Sequence, residues 1–115
     1  MTTSENSDIN NTVTRDTKMK LSDFTMIQKD NWKKGNQVLL GFGPYQLSII
    51  DDGMGKDSDL FEIATFNSNE GVASDFVELP GITGNKGVRG YLTESDVDAI
   101  IKKMYSVTGR LPVQI

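Results

Sequence analysis

With 115 residues, a net charge of −4 and neither cysteine nor histidine, the chain is sized for one small acidic domain. The missing residue types exclude disulfides, thiolate zinc sites, cysteine nucleophiles and Ser-His-Asp chemistry. No apolar run approaches the roughly 20 residues that span a bilayer, and no basic segment leads into an apolar one at the start, so a cytoplasmic protein without a membrane partner is expected.

The opening segment, "MTTSENSDINNTVTRDTK", is dominated by Ser, Thr, Asn and Asp. It cannot bury enough apolar surface to offset its ordering entropy, so residues 1–18 read as a disordered polar tail. The composition changes at Met19, and residues 19–115 read as a single α+β domain. "LSDFTMIQKDNWKKG" suggests a short helix capped by Ser22 and stopped at Gly35, with Leu21, Phe24 and Ile27 keeping helical spacing. The middle of the chain changes period. "QVLLGF" (37–42), "YQLSIID" (45–51), "LFEIATFN" (60–67), "DFVEL" (75–79) and "VRGYL" (88–92) are rich in aliphatic and aromatic residues between turn formers, as strands are. The second and third should pair as an antiparallel hairpin.

"LTESDVDAIIKKMYSVTGRLP" carries the strongest local signal. Thr93 and Asp96 stand at capping-box spacing, Val97, Ile100, Ile101, Met104 and Tyr105 form one apolar stripe, Gly109 suits the C-terminal cap and Pro112 prevents resumption. This spacing predicts a helix from about 94 to 107. The expected fold is therefore an antiparallel β-meander of three to five strands with a C-terminal amphipathic helix packed on one face.

Three stretches invite a functional reading. "GITGNKGVRG" (81–90) places glycine at every third position, but it has neither the spacing of a dinucleotide fingerprint nor that of a Walker loop, and it is too short for collagen. It reads as a sharply bent connection, with Lys86 and Arg89 available for a partner or an anion beside exposed amides. "DDGMGKDSDLFE" (51–62) begins and ends on carboxylates at EF-hand spacing, yet Gly53 and Gly55 occupy two ligand positions and Lys56 takes the place of the turn glycine. No metal site is expected there. Asp51, Asp52, Asp57 and Asp59 instead form an acidic loop suited to a basic partner surface. "NWKKGN" sets Trp32 beside Lys33 and Lys34, which could serve a nucleic-acid strand. The isoelectric point near 4.7 and the scattered Arg15, Arg89 and Arg110 oppose direct nucleic-acid binding. Trp32 is left as an anchor or a partner contact. Glu62 and Glu78 fall on predicted strands and could form a carboxylate pair, but no organised pocket signal accompanies them, so no enzyme is expected.

The run "YQLSIIDDG…LFEIATF…FVELPGI…VRGYLTESDVDAIIKKM" resembles small bacteriophage-encoded accessory proteins of uncharacterised function, over about residues 37–108. The resemblance carries no catalytic residue. It implies a module that acts by binding a host protein. The expectation is thus a non-enzymatic protein-binding module, a phage-type modulator or inhibitor of a host protein, one that itself handles nucleic acid being a natural target. It would act in the host cytoplasm without cofactor, through Asp51, Asp52, Asp57, Asp59, Trp32, Lys86 and Arg89. The alternatives are a small-ligand or anion-binding domain using the 81–90 loop, and a structural subunit of a virion or other assembly.

Overall fold

The computed structural model describes residues 18–28 and 35–115; the segment 1–17 and Trp32 lie outside the described residues. Among the described residues seven strands and one α-helix follow in order: β1 (Ile27–Gln28), β2 (Asn36–Phe42), β3 (Tyr45–Ile50), β4 (Phe61–Asn69), β5 (Val72–Phe76), β6 (Val88–Leu92), α1 (Glu94–Thr108) and β7 (Val113–Gln114). All strand pairs are antiparallel, in the order β1-β2-β3-β4-β5. One edge of β2 is occupied by β3, so β1 at Asn36–Gln37 and β7 at Leu40–Gly41 share the other. In the same way β5 and β6 divide the outer edge of β4.

Register places the core. Val38, Leu40 and Phe42 on β2 stand opposite Ile49, Leu47 and Tyr45 on β3, and Ile49 and Leu47 stand opposite Ile63 and Thr65 on β4. With period-2 alternation these side chains share one face. That face is buried with the stripe of α1, from Val97 through Ile100, Ile101 and Met104. Each large aliphatic so buried contributes about 1.5–3 kcal/mol. The expected two-layer α+β fold, with the helix against the sheet, is what the chain adopts.

The start of α1 follows from local chemistry. The Thr93 hydroxyl accepts from the Asp96 amide at 3.1 Å, and the Asp96 carboxylate accepts from the Thr93 amide at 3.0 Å. The Thr93 backbone bond above all, then the Thr93 side chain, with a smaller contribution from Arg89, hold the Asp96 carboxyl below its ordinary value. Its folded form therefore titrates lower than its unfolded form, so this contribution to stability is present above the unfolded value and lost as pH falls through the folded one. Asp96→Asn should remove that part of the acid sensitivity below about pH 4, as read from unfolding titrations across that range. Thr93→Ala, which deletes the cap acceptor, should cost about 1 kcal/mol at neutral pH by denaturant unfolding. At the other end Gly109, at φ 69°, donates to Tyr105 O at 2.7 Å and closes the helix.

Three sequence expectations need correction. Of the segment expected as an N-terminal helix, the described residues 21–28 form a 3-10 turn at Leu21–Asp23 and then continue extended into β1, while residues 29–34 lie outside the described residues. The Asp23 carboxylate collects the Met19 and Lys20 amides, each at 3.1 Å, and closes the turn after three residues. Gln114 then grips Thr25, accepting from its amide at 3.0 Å and donating to its carbonyl at 2.6 Å, which holds that stretch extended. The strand expected at 75–79 instead spans Val72–Phe76. Glu70 and Gly71, at φ 52° and 82°, make a two-residue hairpin turn that starts β5 early, and Val77 is then drawn out of the regular ladder by Thr65. The sheet also exceeds the expected three to five strands, because β1 and β7 add two-residue pairings along β2.

Candidate functional site

The acidic loop between β3 and β4 is held by hydrogen bonds within the chain. Asp51 accepts from the Asn36 amide at 2.8 Å and from Asn36 Nδ2 at 3.1 Å, which locks the end of β3 to the start of β2. Asp52 lies over Gly35, where a Cβ would sit 2.6 Å from its side chain; with φ at 113°, glycine is required there on both counts. Glu62 accepts from the Met54 amide at 2.7 Å, and Met54 O accepts from the Tyr91 amide at 3.1 Å. The loop is thereby tied to β4 and β6. Asp57 stands exposed in a 3-10 turn, Lys56–Ser58, and Asp59 follows it in the left-handed region at φ 57°. Among the described residues no three acids come together in a way that would hold a metal ion.

The fold brings part of this loop to a groove that the sequence did not disclose. An open pocket of about 430 Å³ lies between the Leu21–Asp23 turn, the acidic loop and the first turn of α1. Leu21, Phe24, Met26 and Phe61 form its apolar wall, and Asp51, Asp59 and Glu94 contribute carboxylates. None of its described lining residues is basic. Its assembly depends on the docking of the N-terminal turn, since the Leu21 amide donates to Asp98 on α1 at 2.8 Å. Of the sequence-selected acids, then, Asp51 and Asp59 reach this pocket, whereas Asp52 and Asp57 stay in the loop beside it.

Lys86 and Arg89 belong elsewhere. The 81–90 stretch is an internally bonded turn: Ile82 and Thr83 donate to Leu79 O at 2.9 Å, Gly87 and Val88 to Gly84 O at 2.9 and 3.2 Å, and Lys86 to the Glu78 carboxylate at 2.9 Å. These five amides are thus engaged within the chain. Beneath them the Thr65 and Thr83 hydroxyls meet at 2.6 Å in the core, with Thr65 also donating to Val77 O at 2.6 Å. The Lys86 side chain is exposed, and Arg89 Nη1 leans toward Ile82 O at 3.4 Å. Glu62 and Glu78 are each engaged by an amide of a different loop and are not built as a catalytic pair.

Comparison with protein-family models, with curated proteins and with solved structures returns no match to this chain. The residues that sequence reasoning missed, Phe24, Met26, Phe61 and Glu94, looked like helix interior, strand or cap, and only Asp51 and Asp59 carried a signal. Among the described residues no helix is long and apolar enough to cross a membrane. A second open pocket, of about 350 Å³, is lined by Gly41, Gln46, Ser68, Val113 and Ile115 on the sheet face away from α1, and Arg110 is the one charged residue among its described lining residues.

Proposed function

We propose that this protein is a non-enzymatic protein-binding module that docks its acidic side onto a basic surface of its partner. The observation that carries this reading is the convergence of Asp51 and Asp59, from the β3–β4 loop, with Glu94, from the start of α1, around one apolar groove. Such a surface raises the encounter rate with a positive patch and contributes specificity through register. The net charge of −4 reinforces it. The resemblance to bacteriophage accessory proteins supports a host protein as the partner, in the host cytoplasm, with modulation or inhibition as the outcome. A protein that handles nucleic acid is a natural target, because its basic surface is already shaped for negative charge. The internal use of the 81–90 amides gives the small-anion alternative no support.

Association kinetics test the proposal. The triple variant Asp57→Asn, Asp59→Asn, Glu94→Gln should bind a partner captured from host lysate several-fold more slowly at low salt. The deficit should shrink near 0.15 M salt, where the screening length is about 8 Å. Equal rates for variant and parent across the salt series, in a variant that still folds, would remove the acidic surface from the account.

A further inference from the structure

We propose that the groove between the Leu21–Asp23 turn, the acidic loop and the start of α1 anchors one arginine side chain of a basic partner segment. This rests on the protein-binding reading above and names what the acidic side grips. At about 430 Å³ the groove falls in the lower part of the roughly 300–1,000 Å³ range of ligand sites, and it is open to solvent. That size suits a protruding side chain.

The chemistry of the lining selects which one. Phe24, Phe61 and Met26 offer apolar surface to a methylene stem and an aromatic face to a planar cation. Both Asp51 oxygens already accept from Asn36, so this carboxylate is chiefly structural. Asp59 and Glu94 differ: neither carboxylate has a hydrogen-bond partner among the described residues, and both face the same opening. Two carboxylates beside aromatic rings match a guanidinium, which presents several donors in a rigid fork and stacks on rings, better than the compact, strongly hydrated ammonium of lysine. An anionic side chain would be repelled by these carboxylates, and a neutral one would gain no charge-assisted bond from them.

An NMR titration decides the point, using the peptide acetyl-Ala-Arg-Ala-amide and its lysine and citrulline counterparts. The arginine peptide should shift the amide signals of Met26, Asp59, Phe61 and Glu94. Replacing arginine by citrulline, or introducing Asp59→Asn with Glu94→Gln, should weaken binding about ten-fold or more, as expected for losing charge-assisted hydrogen bonds. Asparagine tolerates the left-handed backbone at position 59, so that variant should fold. Asp57→Asn removes the same charge from the same loop outside the groove and should leave peptide affinity within about two-fold, since an exposed neighbouring charge contributes little. Equal binding of the citrulline or lysine peptide would overturn the arginine assignment. If Asp57→Asn weakens binding as much as Asp59→Asn, with shifts spread along the loop, the pocket falls while the acidic docking surface stands. If the pocket binds the peptide but partner association ignores Asp59 and Glu94, the anchor stands and the docking surface falls.

Discussion

Phe42→Ala should destabilise the domain by about 3–5 kcal/mol, the cost expected when a buried phenylalanine is truncated and its cavity closes only in part. Phe42 is fully buried at the end of β2, opposite Tyr45 across the two-residue turn that joins β2 to β3. Domains of this kind are stable by about 5–15 kcal/mol, so the loss would be a large part of the whole. Denaturant unfolding should show a lower midpoint with an unchanged slope. Phe76→Ala gives the contrast. That ring stacks 4.6 Å from Phe66 but is 55% exposed, and its loss should cost no more than about 1.5 kcal/mol. Comparable losses at the two positions would mean that the core lies on the other sheet face.

Gly87→Ala should be nearly as damaging, at about 2–6 kcal/mol, because two costs add there. The backbone sits at φ 81°, and a Cβ would lie 2.7 Å from Val77 O and 3.2 Å from Thr65 O, both main-chain atoms that cannot swing aside. Gly84, three residues earlier, has an ordinary extended conformation and nothing within 4 Å of its would-be Cβ. Gly84→Ala should therefore change stability by less than about 0.5 kcal/mol. Thermal or chemical unfolding of the two variants side by side separates a turn that packs one glycine against the core from a run whose glycines are interchangeable.

That contrast shows what the sequence could disclose. The regular spacing of glycine in the 81–90 stretch suggested a bent connection, and Gly81 and Gly87 do take positive φ; which of them a close approach also requires depends on Val77 and Thr65, distant in sequence. Helix α1 and strand β6 were legible because their determinants are local: a cap, an apolar stripe, a short run of strand formers. Strand β5 was misplaced because Glu70 and Gly71 act together as a positive-φ turn, although glutamate rarely signals one. Strands β1 and β7 carry no local pattern at all. They exist because β2 has a free edge and Gln114 ties Thr25 to it. The candidate site divides in the same way. Asp51 and Asp59 stand out in a charged run, but the apolar wall comes from a turn near residue 21 and a strand near residue 61, and the third carboxylate from a helix start, so its assembly is tertiary.

The central claim is that partner binding occurs on the acidic side, and hydrogen–deuterium exchange of the full chain with and without its captured partner tests it most directly. Binding should slow exchange in the Leu21–Met26 segment, in the loop from Asp51 to Phe61 and at the first turn of α1, while β5 and β7 keep their free-state rates. Protection confined to the opposite sheet face, around Val113, Ile115 and Gln46, with the acidic loop unchanged, would contradict it.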